Sequence, residues 1–326
     1  MGEMKYGNVK GLDKKVSRLV FGTPHLREDR KEEGYCLLDD IYALGINTFD
    51  TAAVYPNGSE QLLLEWICDR GIRDEIVLIS KCAHQNKWRR RVTSFDIMSD
   101  ISDTLAKASI GYIDIYQLHR DDENVAVADI VDTCNRLYEQ GKVKSFGASN
   151  WSLERILEAN EYAYNHGLEG FSSVSPHFSL GEQMVAPWDG CLSLTGEENI
   201  SARAYYENIQ MPVFAYSSLC MGFFSGKFKA DDLCKAREVL TLDAQKSYLY
   251  DENIERLRRT EVLAEKKRVS VANIAIAWAL AQEINVFTLV RASSKDRMKE
   301  NIKALDVVIT SEELQWLNLE RTGIII

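Results

Sequence analysis

No stretch of this sequence is apolar for long enough to cross a bilayer, because charges cut its most hydrophobic windows well short of the roughly 20 residues a spanning helix needs. The opening Met-Gly-Glu-Met-Lys lacks the apolar core of a secretion signal, so the expectation is a cytoplasmic protein with no membrane partner. No Cys-x-x-Cys pair occurs, and the seven cysteines, odd in number and scattered, offer neither a disulfide framework nor a zinc site. Positive charge is also short. With 39 Lys and Arg against 49 Asp and Glu, the net charge of -10 argues against a nucleic-acid surface, which needs a basic face for phosphates. No G-x-G-x-x-G follows any apolar run, so the phosphate turn of an open dinucleotide-binding sheet is missing. No repeat, low-complexity tract or linker divides the 326 residues, a length that suits one α/β barrel domain.

What is present is a run of strand ends that carry chemistry. Ile46-Asn-Thr-Phe-Asp-Thr-Ala-Ala-Val-Tyr55 reads as a short apolar strand breaking into a turn, with Asp50 at its end and Tyr55 just beyond. Glu75–Lys81 is a buried strand ending on a lysine, and Ile113–His119 another ending on a histidine. If these strands are parallel neighbours about 4.8 Å apart, the four side chains converge within roughly 10 Å. In alternating strand–helix folds chemistry gathers at the carboxyl ends of the strands.

The rest of the chain supports such a fold. Eight β-branched, apolar runs succeed one another at Val16–Gly22, Ile46–Ala52, Glu75–Lys81, Ile113–His119, Val143–Ser149, Phe171–His177, Pro212–Ser218 and Val286–Ala292. Amphipathic segments lie between them, among them Ser59–Arg70, Phe95–Ser109, Val127–Gln140, Ser152–His166, Glu198–Asn208 and Val271–Gln282. Gly71, Gly111, Gly141 and Gly167 read as helix stops, and Thr310 or Ser311 ahead of Glu312 and Glu313 as the start of a last helix. The pattern predicts an α/β fold, a (β/α)8 TIM barrel with a short N-terminal hairpin over Lys5–Val9 and Lys14–Leu19. Two long connections at the carboxyl face, Ser179–Thr195 and Gly222–Asp251, are expected to shape a binding site.

At this point the sequence resembles the aldo-keto reductase superfamily, in collinear order along almost the whole chain. Phe49-Asp-Thr-Ala-x-x-Tyr55 is similar to that family's Asp-x-Ala-x-x-Tyr signature. Ser80-Lys81 resembles its lysine strand, and Asp114-Ile-Tyr-Gln-Leu-His119-Arg-Asp-Asp122 its histidine strand. Gly147-Ala-Ser-Asn150, Ala215-Tyr-Ser-Ser-Leu219 through Gly226-Lys227, and Arg297-Met-Lys-Glu-Asn301 complete the series.

The resemblance implies reduction of a carbonyl compound, or oxidation of the alcohol, by direct hydride transfer from a bound nicotinamide dinucleotide without a metal. Asp50, Tyr55, Lys81 and His119 are then the expected catalytic group. Tyr55 is the proton donor, Lys81 the charge beside it, Asp50 the carboxylate that keeps the lysine ionised, and His119 the donor that orients the substrate oxygen. Tyr216 is expected under the nicotinamide ring, and Ser149, Asn150 and Ser175 at its carboxamide. Ser175 stands where the family usually has glutamine. Gly22, Thr23, Ser217, Leu219, Gly222 and Lys227 are expected along the dinucleotide. Arg291, Ser293, Arg297, Glu300 and Asn301 are expected at the adenosine end, where arginine forks match a 2′-phosphate and favour NADP over NAD. His25, Trp88 and Trp151 are the expected substrate-binding residues, with Trp188 and Phe223 completing an aromatic wall.

Two other functions compete. The family also includes barrels that serve as auxiliary subunits of ion channels, so a cofactor-binding regulatory subunit is the alternative. His25, His84, His119 and His177 at strand ends raise the idea of a metal-dependent hydrolase, but none stands at the i, i+2 or i, i+4 spacing of common ligand pairs. The oligomeric state is left open.

Overall fold

The computed structural model describes residues 2–323. A two-stranded antiparallel hairpin, β1 (Tyr6–Gly7) and β2 (Val16–Ser17), precedes eight parallel strands. These are β3 (Leu19–Gly22), β4 (Thr48–Asp50), β5 (Val77–Cys82), β6 (Ile113–Leu118), β7 (Val143–Ser149), β8 (Val174–Ser175), β9 (Val213–Ala215) and β10 (Val286–Val290). They close in sequence order, with β10 pairing both β9 and β3. The expected TIM barrel with its hairpin is therefore the observed fold.

The barrel interior is solid. Val9, Val16, Val20, Val77, Ile79, Ile115, Phe214 and Phe287 form one buried inner cluster, while Leu78, Cys82, Tyr116 and Leu118 on the alternate positions pack outward against the helices. That alternation is the period-two consequence of pleated strands. Phe214 and Phe287 stack with centroids 5.1 Å apart, and the Arg18 guanidinium lies over Phe287 at 4.4 Å from the underside. The hairpin backbone presses so closely there that a Cβ on Gly7 would stand 2.7 Å from Phe287, which requires glycine.

Two strand expectations need correction. Val16–Gly22 is not one strand: Val16–Ser17 pairs back into the hairpin, and only Leu19–Gly22 joins the barrel. The sixth run, Phe171–His177, pairs regularly only at Val174–Ser175, because Pro176 has no N–H to continue the ladder.

The helices follow their start and stop signals. Ser59–Arg70 ends at Gly71 (φ 65°), and Leu153–His166 opens on the Ser152 hydroxyl, which accepts from the Arg155 amide, and ends at Gly167 (φ 67°). Gly111 is no helix stop, since the helix Ser94–Lys107 already ends at an extended Ala108. Thr310, not Ser311, caps the last helix Ser311–Leu317, in a reciprocal capping box with Glu313. The connection Gly222–Asp251 holds two short helices, Leu233–Val239 and Leu242–Tyr248, opened by Asp232 and Thr241.

Both long connections are tied together under the carboxyl face by His177. Its Nδ1 bonds Ser193 Oγ at 2.8 Å, and its Nε2 lies 2.9 Å from Ser179 Oγ and 3.1 Å from Tyr248 OH. Burial pushes this imidazole down to about 3. Among the described residues no helix is long and apolar enough to cross a membrane.

Candidate active site

Parallel neighbours β4 and β5 deliver the central pair. Asp50 ends β4 opposite Ile79, so Lys81 stands two residues further along β5 on the same inward face. Lys81 Nζ donates to Asp50 Oδ2, to the Thr51 carbonyl at 3.0 Å and to Tyr55 OH at 3.3 Å. The Tyr55 hydroxyl donates to Asp50 Oδ1 at 3.1 Å. His119 follows β6, its ring edge-on to Tyr55 with centroids 6.3 Å apart and to His84 at 4.9 Å. Its Nδ1 is buried with no partner. Phenol, ammonium, carboxylate and imidazole thus meet at one end of the barrel.

Burial sets the charges here. It pushes Asp50 up and Lys81 down, and the charge of each is what opposes the shift of the other. Burial first, and then the Asp50 carboxylate, push the Tyr55 phenol well above its ordinary value of 10. Burial and Asp50 hold the phenol protonated even though the Lys81 ammonium stands 3.3 Å from its oxygen. Burial, followed by the charges of Lys81 and Arg120, holds His119 well below 6.5. Near neutral pH the site therefore contains a protonated phenol and a neutral imidazole.

On the far side of His119 the polar groups already satisfy one another. Ser149 Oγ donates to the Ser175 carbonyl at 2.7 Å, and Ser175 Oγ to the Phe214 carbonyl at 2.9 Å. Asn150 Oδ1 accepts from Tyr216 OH at 2.6 Å and from the Leu192 amide at 3.1 Å. Beyond Tyr216, the turn containing Ser217, Leu219 and Gly222 has left-handed φ at Ser217 (53°), Cys220 (51°), Met221 (53°) and Gly222 (99°). The amides of Cys220 and Gly222 are already bonded within the turn, to the Ser217 and Leu219 carbonyls at 2.7 and 3.0 Å.

Arg291, Ser293, Arg297 and Lys227 are exposed, and none of the three cations forms an ion pair among the described residues. Asn301 donates to the Arg291 carbonyl at 3.4 Å, and Glu300 pairs with Lys303 at 2.6 Å. Gly22 ends β3, and the Thr23 hydroxyl donates to the Asp50 carbonyl at 3.0 Å.

The expected aromatic wall is assembled only in part. Trp188 is partly exposed and lies against Tyr216 with centroids 6.1 Å apart. Phe223 is not a wall residue, being fully buried against Phe224 and Phe228. Trp151 is turned into the fold, edge-on to Phe171 at 5.1 Å, and lines a cavity of about 180 Å³ with Asn150, Leu192 and Tyr206. Trp88 is 77 % exposed, with Lys87 over its ring. The basic run around it is largely committed: Arg89 pairs with Asp96, Arg91 with Asp100, and Arg90 donates to the Asp121 carbonyl. His25 stands against Phe21 and the end of β10, where burial and the Arg291 charge push it down to about 4.

Sequence reasoning passed over Gln117 and Arg120. Gln117 lies opposite Lys81 in the β5–β6 register, fully buried, with neither side-chain atom bonded. Arg120 follows His119 and is only 6 % exposed; its Nη1 donates to the His119 carbonyl at 2.8 Å, and its Nε has no partner. The signal was in the sequence, a strand-end histidine followed at once by arginine, but such an arginine ordinarily reads as solvated.

All seven cysteines are free, and among the described residues no group of three or more His, Cys, Asp or Glu side chains is placed to hold a metal ion. The family model described as "Aldo/keto reductase family" matches residues 18–318. Among similar proteins, a probable aryl-alcohol dehydrogenase of Saccharomyces cerevisiae is 27 % identical, over 88 % of this chain and 87 % of its own. The norsolorinic acid reductase of Emericella nidulans is 26 % identical, over 92 % of this chain and 77 % of its own. A probable voltage-gated potassium channel subunit beta of Oryza sativa subsp. japonica is 26 % identical, over 94 % and 92 %.

Proposed function

This chain belongs to the aldo/keto reductase family, an oxidoreductase family that supports carbonyl reduction in general, and on that premise we propose that it reduces an aldehyde or ketone to the alcohol with NADPH. The observation that carries the reading is the shared acceptor: Tyr55 and Lys81 each bond one oxygen of a buried Asp50. When bound, the reduced nicotinamide supplies the hydride to the carbonyl carbon.

The chain's own groups supply the rest. Tyr55, protonated at neutral pH, turns its hydroxyl from Asp50 to the carbonyl oxygen and gives up its proton as negative charge develops there. Lys81, 3.3 Å away, stabilises the phenolate that results, and Asp50 holds the ammonium in place. His119, neutral, donates from its ring to the same oxygen and fixes its direction.

NADP is favoured over NAD by the exposed guanidinium groups of Arg291 and Arg297, which form no ion pair among the described residues and suit a 2′-phosphate. The carboxamide is assigned to Ser149, Asn150 and Ser175, with Tyr216 under the ring. Accepting it requires Asn150 to exchange its bond to Tyr216 for one to the ligand. Seven free cysteines suit a reducing compartment such as the cytoplasm.

A second reading, a cofactor-binding subunit with little turnover, is favoured by the likeness to the rice channel subunit. Following NADPH absorbance with a panel of aromatic and aliphatic aldehydes separates the two. Turnover establishes the reductase; tight NADPH binding without turnover of any member establishes the subunit.

A further inference from the structure

We propose that Arg120 anchors a carboxylate carried by the substrate, so that the favoured substrates are aldehydes or ketones bearing an acid group. The inference rests on the reductase reading for the word substrate, but the anion site itself stands on geometry.

Arg120 is more than nine-tenths buried, and a guanidinium cannot shed its proton to escape that burial. Burial works against its charge; the exposed Asp189 beside Gly190 acts on it from a distance, but no carboxylate among the described residues lies within the 4.0 Å of an ion pair. Asp121, the next residue, is taken by Arg155 at 2.9 Å. The one bond found for the Arg120 side chain goes to the His119 carbonyl, and its buried Nε donates to nothing. A buried cation left in this state is destabilised, and an incoming anion relieves it.

Its position makes that anion a substrate group. Its charge is felt at Tyr55, His119 and His84 on one side and at Tyr216 and Cys191 on the other. A Cβ on Gly190, in the connection that covers Tyr216, would stand 3.4 Å from its Cδ. The guanidinium bonds the same His119 carbonyl that Asn150 bonds at 3.4 Å, and Asn150 in turn accepts from Tyr216, so it stands beside the histidine and the ring expected under the nicotinamide. Among the described residues the other cations there are matched or neutral: Lys81 pairs with Asp50, Arg91 with Asp100, and both imidazoles are held toward neutrality. An ionised carboxylate accepts two N–H bonds side by side, the geometry a guanidinium presents.

The test uses the ortho, meta and para carboxybenzaldehydes and their methyl esters, which keep the ring and aldehyde and differ in charge. At neutral pH and saturating NADPH, at least one acid is expected to exceed its ester in kcat/KM by about tenfold or more, the effect of a hydrogen bond to a charged group. In Arg120→Gln the ratio falls to near one, and Arg120→Lys, which keeps the charge, retains part of it. Esters equal to or better than all three acids in the native protein overturn the assignment, as does a preference that survives Arg120→Gln.

Calorimetric titration with benzoate and with methyl benzoate in the presence of NADPH reads the same site without turnover. If no aldehyde is reduced but benzoate binds and loses affinity in Arg120→Gln, the reductase reading fails and the anion site stands. If benzoate binds no better than methyl benzoate, the anion site fails whatever the turnover.

Discussion

The Tyr55 hydroxyl bonds Asp50 Oδ1 at 3.1 Å, and because an ammonium has no lone pair to offer, that carboxylate rather than Lys81 receives the phenolic proton's bond. The resting site is thus a closed triangle of phenol, carboxylate and ammonium, with its proton donor loaded. Whatever draws the hydroxyl away from Asp50 must offer an acceptor at least as good, which a carbonyl oxygen gaining negative charge does.

Replacing Tyr55 with Phe keeps the ring beside His119 and removes the donor. Steady-state reduction is expected to fall by about 10²–10⁴-fold, the usual worth of a positioned acid. NADPH affinity, followed by fluorescence titration, stays close to that of the native protein. Near-native turnover in this variant removes Tyr55 from the mechanism.

Asp50→Asn leaves Lys81 buried without its counter-charge. Breaking such a pair costs about 3–5 kcal/mol, visible as a lower urea midpoint at neutral pH. Adding Lys81→Met to Asp50→Asn removes the stranded charge as well and is expected to recover much of that stability without recovering turnover. Equal stability of the native protein and Asp50→Asn contradicts the pairing.

His177 supplies a pH dependence. Its folded-state value is pushed from 6.5 down to about 3, so between these limits the unfolded chain binds the extra proton. The stabilisation is complete above about 6.5 and is lost as pH falls, at up to about 1.4 kcal/mol per pH unit. Urea unfolding from pH 7.5 to 4.5 should show His177→Gln with a shallower decline than the native protein. Parallel declines sink the assignment.

Arg297→Ala is expected to weaken NADPH by roughly 10–100-fold, the worth of a hydrogen bond to a charged group, and to leave NADH nearly unchanged. Equal weakening of both cofactors, measured by titration, removes the 2′-phosphate from Arg297.

Much of this architecture was legible because local signals agreed with the global fold. β-Branched runs marked every barrel strand, and Gly71, Gly167 and Ser152 ended or opened helices where expected. The helix Lys31–Tyr42 is interrupted in sequence by Gly34, where a Cβ would stand 2.8 Å from Leu62, so close helix packing weakens the local propensity.

The site was less legible beyond its four central groups. Phe223 reads as an exposed loop aromatic, but its ring is buried against Phe224 and Phe228. Trp151 reads as a mouth residue, but its ring finds Phe171. The Tyr55 phenol is raised first by burial and then by Asp50, and sequence spacing fixes neither. Arg120 escaped notice because burial is a property of the folded connection at Gly190, not of the residue itself.

The hairpin beneath the barrel has a last consequence. Among the described residues, stacked Phe214 and Phe287, with Arg18 over Phe287 from below, fill the floor of the barrel, so a ligand approaches Lys81 from the carboxyl face. In such a cul-de-sac the deepest occupant must arrive first and depart last, which makes the order of arrival a property of the plugged floor rather than of affinity.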